Sequence, residues 1–340
     1  MAVADFNDTF LRACRFEPTD YTPVWFMRQA GRYMPEYRAL RRKHDVLTLT
    51  RTPELAAEIS LQPVRTLGVD AAILFADIML VPIAMGADVK IVDTVGPVLD
   101  DPIDSRPSID RLHQFARADI EYLRRTIQIL RGELKIPLIG FSGAPFTLAS
   151  YLIEGAPSRT WLKTKRFMYE QPKLWHELMD KLAEAIIFFL HEQVDAGAQA
   201  LQVFDSWVGA LSPVDFREFV LPYNRRIFTA LASTNVPRIA FGTDTAGILT
   251  DFADVDCEVV GLDWRQDLAQ VRRLLPDKAV QGNLDPAVLA SGWKATEHQA
   301  AQILASMPNR RGFIFNLGHG VWKEADPETL RRLVDYVHTH

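Results

Sequence analysis

The chain carries only two cysteines in 340 residues, Cys14 and Cys257, far apart and in no metal-ligand spacing. So few thiols provide no disulfide framework and suit a reducing compartment. No His-x-x-x-His, Cys-x-x-Cys or His-x-Cys spacing occurs, so a catalytic zinc would lack its usual ligands. The Gly-x-Ser-x-Gly elbow of serine hydrolases is missing, as are a Walker Lys-Ser/Thr and a Gly-x-Gly-x-x-Gly turn after an early strand. Positive charge is short as well. Lys and Arg number 38 against 43 Asp and Glu, a net charge of -5, which argues against a generic nucleic-acid binder. No apolar run approaches the ~20 residues that span a bilayer. The stretch Met1-Ala-Val-Ala-Asp-Phe-Asn-Asp8 lacks a basic start followed by an apolar segment, so no signal peptide and a soluble, cytoplasmic location are expected.

What is present is core-forming material. Hydrophobic residues make up 48% of the chain and charged ones 24%, proportions of a globular protein. With no linker, repeat or low-complexity tract, residues 1–340 are expected to form one domain, a size that α/β barrels reach as a single unit. Short apolar runs rich in β-formers occur at 23–27, 71–75, 137–141, 200–204, 238–241, 259–262, 279–281 and 312–315. Helical patterns lie between most of them. Leu182, Ile186, Phe189 and Leu190 share one face of a segment from Gln171 to Val194, and Phe216, Phe219, Val220 and Tyr223 share a face in the next. Ser212-Pro213, Asp285-Pro286 and Asp326-Pro327 each place a capping residue before a proline at the first helical position. Eight apolar strands alternating with helices imply a parallel sheet covered on both faces, and a (β/α)8 TIM-type barrel is the expected fold. An open doubly wound sheet is the competitor. Residues 86–105 interrupt the alternation, and Val89, Ile91 and Val95 there predict a small hairpin outside the barrel.

Each predicted strand is followed by polar or ionisable residues: Arg28, Asp77, Ser142, Asp205-Ser206, Thr243-Asp244, Asp263, Asn283 to Asp285, and Asn316 to His319. In a barrel these ends converge at one mouth, where active sites of the fold are built. Helix capping is the alternative explanation. It suits Asp285 and Thr243 and accounts poorly for Arg28, Asp77 and His319.

Four constellations carry chemistry. Arg28 to Lys43 holds six basic residues against the single acidic Glu36, a local anion site within an acidic chain. Guanidinium groups at Arg28 and Arg32 can grip carboxylates through two parallel bonds, while Arg38, Arg42 and Lys43 read as a solvated helix face. Asp77 is a lone carboxylate in the apolar run Phe75-Ala-Asp-Ile-Met79. Burial would cost it several kcal/mol, so it needs either a structural arginine or a task. In Gly140-Phe-Ser-Gly-Ala-Pro-Phe-Thr-Leu148 a strand, a turn and a helix follow in order, with Tyr151 placed for either core packing or a hydrogen bond to a carboxylate. His319, between Gly318 and Gly320, could act as an acid, a base or a hydrogen-bond donor.

The segments Pro23-Val-Trp-Phe-Met-Arg-Gln-Ala-Gly-Arg-Tyr-Met-Pro-Glu-Tyr37 and Gly140 to Gly155 resemble the two signature stretches of the uroporphyrinogen decarboxylase family. Phe75-Ala-Asp-Ile78, Gly197-Ala-Gln-Ala-Leu-Gln202, Phe204-Asp-Ser-Trp207, Gly282-Asn-Leu-Asp-Pro286 and Asn316-Leu-Gly-His-Gly320 match in the same order, so the resemblance spans the chain. It matches less well over Val321-Trp-Lys-Glu-Ala325. The resemblance implies substrate contacts at Arg28, Gln29, Ala30, Gly31, Arg32, Asp77, Tyr151, Ser206 and His319, with Arg41 as an additional candidate; at position 206 the hydroxyl is the transferable part. It implies catalytic roles for Asp77, Arg28, Tyr151 and His319. It also implies a distorted barrel, a homodimer, and no metal or cofactor. The expected reaction removes CO2 from the four acetates of uroporphyrinogen III, giving coproporphyrinogen III. The rivals are a zinc- or corrinoid-dependent barrel methyltransferase and a non-catalytic tetrapyrrole-binding protein.

Overall fold

Strands that are apolar on both faces must be covered on both, and the chain solves this by winding them into a curved sheet inside a layer of helices. The structure, a computed structural model, describes residues 6–92 and 95–340. The acidic start at residues 1–5, expected to carry no leader, lies outside the described residues. The strands are β1 (Ala72–Ile73), β2 (Val89–Val92), β3 (Gly96–Leu99), β4 (Leu138–Gly143), β5 (Ala200–Asp205), β6 (Arg238–Gly242), β7 (Val259–Gly261), β8 (Ala279–Leu284) and β9 (Phe313–Leu317). Seven of them form a parallel sheet in the order β1-β4-β5-β6-β7-β8-β9. Strand order never reverses, so there is no switch point of the kind an open doubly wound sheet requires. The barrel-type expectation is met.

The first predicted strand, residues 23–27, is reduced to one parallel bridge, Val24 to Phe315. It still fills the gap between the sheet's two edges: Phe315 N donates to Pro23 O at 2.9 Å, and Asp70 N donates to Val24 O at 2.8 Å. A regular ladder is prevented because Pro23 has no N–H. Side chains also claim the donors that follow, Val24 N going to Asp70 Oδ2 and Met27 N to Asn316 Oδ1. This is where the barrel is distorted. Across its interior, Trp25 Nε1 donates to Gln281 Oε1 at 2.8 Å, and Gln281 Nε2 donates to Gln202 Oε1 at 3.0 Å. The two glutamines tie opposite walls together through the core.

The helices follow their sequence signals with one exception. The long helix is Pro172–Ala196, and its predicted face (Leu182, Ile186, Phe189, Leu190) is buried. Ser212, Asp285 and Asp326 each accept a backbone N–H at the start of a helix opened by proline. The segment carrying Phe216, Phe219, Val220 and Tyr223 is two helices, Pro213–Phe219 and Leu221–Leu231, hinged at Val220. Pro222 explains the break, since a proline ring clashes with the carbonyl four residues before it. All four residues are buried nonetheless. The predicted hairpin exists as β2 paired antiparallel with β3. Val95, expected within it as a strand residue, lies in its turn and is 53% exposed. Among the described residues no helix is long and apolar enough to cross a membrane.

Candidate active site

At the C-terminal ends of the strands lies a cavity of about 530 Å3, within the usual range for small-molecule sites. Arg28, Ala30, Gly31, Arg32, Arg41, Asp77, Ser206 and His319 all line it. They come from segments up to 291 positions apart in sequence. Apolar wall is supplied by Phe204 and Phe241, register partners on β5 and β6, and by Phe141, two residues below that level on β4. Their rings meet edge to face, Phe141 to Phe204 at 5.4 Å and Phe204 to Phe241 at 5.6 Å.

Arg28 is held in place by a loop that uses its own side chains as struts. Tyr33 Oη donates to Gln29 O at 2.6 Å, and Arg38 Nη1 donates to Arg32 O and Tyr33 O at 3.0 and 2.8 Å. The backbone at Arg28 is left-handed, with φ 57°. That conformation costs a residue with a Cβ roughly 1–2 kcal/mol, and such outliers concentrate at functional sites. The strain turns a strand end into an exposed guanidinium that faces the cavity. Arg28 makes no hydrogen bond or ion pair among the described residues. A cation anchored by its backbone and unpaired at its tip is available to an anionic ligand.

Asp77 stands at the end of the β1 segment, partly exposed to the cavity. Its Oδ1 accepts Met79 N at 2.8 Å, and no arginine reaches ion-pair distance. Burial pushes the carboxyl above its usual range, opposed by the Met79 bond and by the field of Arg28. The structural arginine allowed for in the sequence is therefore absent among the described residues, and the carboxylate keeps one oxygen for the cavity. Its surroundings make an N–H-bearing or cationic guest favourable there.

His319 follows β9 by two residues. Burial, then the charges of Arg28 and Arg265, push its imidazole down to about 4, against Asp263 and a bond to the Gly320 backbone. It is neutral at physiological pH and can donate or accept without carrying charge. Sequence reasoning missed Arg265. Its guanidinium pairs with Asp263 at 2.6 Å and Asp244 at 3.0 Å and stacks over the Trp264 ring, 4.1 Å from the centroid. The signal was its position two residues after a strand-end aspartate. Gly318 packs so closely on the Asp263–Trp264 backbone that any side chain would collide with it.

The remaining predicted residues divide. Ser206 and Arg41 line the cavity, with Arg41 Nη1 donating to His44 O at 2.5 Å. Gln29 does not: it is fully buried, its amide spent on Phe26 N and Ala71 O, so it braces the loop. Tyr151 is buried behind the lining, edge-on to Trp207. Burial and the charge of Asp77 push its phenol up to about 12, so it stays protonated. Phe146 packs against Trp175 in the core, whereas Phe141 lines the site. Ile91, Val92, Trp322 and Lys323 are lining residues that sequence reasoning did not select.

The chain matches the family described as Uroporphyrinogen decarboxylase (URO-D) over residues 5–340. It belongs to the uroporphyrinogen decarboxylase family. Curated relatives agree over nearly their full lengths. The uroporphyrinogen decarboxylase of Bacillus pumilus (strain SAFR-032) is 49% identical over 337 residues, covering 98% of this chain and 96% of that one. The uroporphyrinogen decarboxylase of Streptomyces coelicolor is 50% identical over 338 residues, covering 99% and 95%. Among solved structures, a methyltransferase from Methanosarcina mazei superposes with a TM-score of 0.82 at 19% identity, covering 98% of both chains. A B12-independent methionine synthase from Shewanella sp. W3-18-1 gives 0.56 at 10% identity, covering 86% of both. At such identities these likenesses speak to the fold. The uroporphyrinogen decarboxylase family thus shares its barrel with methyltransferases. Here Cys14 and Cys257 are both buried away from the cavity, and among the described residues no group of three His, Cys, Asp or Glu is placed to hold a metal.

Proposed function

We propose that the chain is a carboxy-lyase that converts the four acetate side chains of uroporphyrinogen III to methyls. It releases one CO2 at each step and ends at coproporphyrinogen III in tetrapyrrole biosynthesis. Kinship with the uroporphyrinogen decarboxylases of Bacillus pumilus and Streptomyces coelicolor supports the reaction. The single observation that carries the mechanism is the unpaired Asp77 carboxylate in a cavity otherwise rimmed by Arg28, Arg32 and Arg41.

An acetate on a pyrrole holds its CO2 because the electrons left behind need a sink. Protonating the adjacent ring carbon makes the pyrrole a cationic iminium, which accepts the electron pair as the C–CO2 bond breaks. The exocyclic alkene that results takes a proton and the ring carbon returns one, leaving a methyl. One proton has then replaced one CO2. Asp77 accepts the pyrrole N–H groups of the domed macrocycle and stabilises the positive charge that develops on protonation. That interaction is strongest in the transition state, so it raises turnover rather than affinity alone.

Arg28 and Arg32 hold peripheral carboxylates, with Arg41 in the same role at the end of the helix Pro35–Arg41. Ser206 and His319 orient the ring as neutral hydrogen-bonding groups. Tyr151 acts from behind Asp77 as a positioning residue, its phenol kept protonated. Neither His319 nor Tyr151 offers an acidic proton at neutral pH. Delivery of the ring proton is placed on the Arg28 face of the macrocycle, where the candidate donors are the guanidinium and a substrate carboxyl that it holds. The apolar wall of Phe141, Phe204 and Phe241 leaves the reacting carboxylate poorly solvated on one face, which favours loss of its charge as CO2. A homodimeric, cytoplasmic enzyme is part of the same reading, supported by the family resemblance.

The test is anaerobic incubation with uroporphyrinogen III, with the products followed by mass spectrometry. Four successive losses of 44 mass units, about one CO2 each, are expected. A stably bound but unaltered macrocycle would make the chain a binding protein instead.

A further inference from the structure

The segment 321–325, where the family resemblance is weakest, is part of the cavity wall: Val321, Trp322, Lys323 and Glu324 all line it. The chain is brought there by Val321 N donating to Met27 O at 2.9 Å, beside the residue that precedes Arg28. Ala325 N then donates to Trp322 O, turning the segment so that Trp322 is 41% exposed. Lys323 and Glu324 reach the same mouth, their side chains 63% and 54% exposed, and pair with each other at 3.6 Å.

That pair is built to exchange. An ion pair between exposed neighbours in sequence is worth a few tenths of a kcal/mol to about 1 kcal/mol, because water screens it and two flexible chains must be held. A multiply charged carboxylate ligand can displace Glu324 from Lys323 at little cost. Glu324 is also an anion at the mouth of a cavity whose other charged wall residues, apart from Asp77, are arginines and Lys323. The three lining arginines all come from one stretch, Arg28 to Arg41, so they grip the ligand from a single segment. Lys323 supplies positive charge from the other end of the chain.

We infer that Lys323 is a further substrate-binding residue, taking a peripheral carboxylate of the macrocycle in exchange for Glu324, and that Glu324 moderates entry of the polyanion. This rests on the substrate reading given above. Because the contact forms at the rim, it acts on capture and leaves the chemical step alone.

The experiment measures KM and kcat anaerobically with uroporphyrinogen III at low and high ionic strength. The variants are Lys323→Gln, Lys323→Arg and Glu324→Gln, all at exposed positions that leave the fold intact. Lys323→Gln should raise KM about two- to fivefold, the range of an exposed ion pair, with kcat unchanged. Lys323→Arg should keep the wild-type KM, and Glu324→Gln should lower it. The differences should shrink at high salt. An unchanged KM in Lys323→Gln, or a higher KM in Glu324→Gln, overturns the inference. Absence of CO2 release by the wild-type protein would instead remove the substrate reading itself, a result distinct from either.

Discussion

At the scale of single residues, the site depends on how two side chains are made to differ from their kind. Arg28 is exposed by a strained backbone and seated against a glycine: a Cβ at Gly320 would lie 2.5 Å from Arg28 Cδ. Gly320→Ala should therefore fold normally yet displace the guanidinium and lower kcat/KM about ten- to a hundredfold, the usual cost of a misplacement near 1 Å. Steady-state kinetics beside a thermal melt would check this. Undiminished kcat/KM would show that Arg28 needs no fixed seat. His319 is the second case. Its proton resonances should titrate near pH 4, and an NMR midpoint at the ordinary 6.5 would contradict the buried, cation-flanked setting. Because that folded midpoint lies below the unfolded one, the unfolded chain binds the extra proton. Stability should thus decline as pH falls from about 6.5 through 4.

At the scale of elements, the ends of the strands do two jobs that sequence alone could not separate. Arg28, Asp77, Ser206 and His319 face the cavity. Ser142, Asp205, Asp263 and Asn283 are buried; Ser142 bonds to the Gly143 carbonyl beside it, and the other three hold neighbouring elements together. A strand reverses the direction of its side chains at every residue, so one position decides between lining and bracing. That register becomes visible only once the sheet is curved. Asp205 shows the bracing role. It accepts Thr147 Oγ1 from the helix Pro145–Glu154 at 2.8 Å and Asn224 Nδ2 from the helix Leu221–Leu231 at 3.3 Å. Burial pushes its carboxyl up to about 6 from 3.8 in spite of those bonds. A raised midpoint means the folded chain binds the extra proton, so this contribution is full below pH about 4 and fades as pH rises through about 6. Asp205→Asn keeps the shape and removes the charge. Its stability relative to wild type should improve from pH 4 to pH 8 in urea titrations. Asp205→Ala, which strands two buried donors, should cost about 1–3 kcal/mol at any pH. A pH-independent difference between Asp205→Asn and wild type would mean the carboxyl is not protonated in the fold.

At the scale of the whole molecule, the barrel, its eight apolar segments and the mouth where the cavity lies were all legible in the sequence. Their signal is local: runs of β-formers, proline-opened helices and a polar residue after each run. The irregular first segment, residues 23–27, was less legible, because it is shaped by Asp70 and Asn316, which reach it from 46 and 289 positions away. Gln29 and Tyr151 fell outside the lining for the same reason, since nothing local distinguishes a side chain that faces the ligand from one that faces the backbone beside it. What the fold achieves as a unit is a charge pattern. An acidic protein of net charge -5 gathers three lining arginines into a cavity where Asp77 is the half-buried carboxylate and Glu324 stands exposed at the mouth. The substrate reading needs that pattern, with cations for the rim of the macrocycle and a single anion for its centre. The most direct test is Asp77→Asn, which preserves the side chain's shape and removes its charge. Dissociation constants for uroporphyrinogen III should change by less than about tenfold while kcat falls at least about a hundredfold, as when a transition-state electrostatic partner is lost. Turnover near the wild-type rate would contradict the account at its centre.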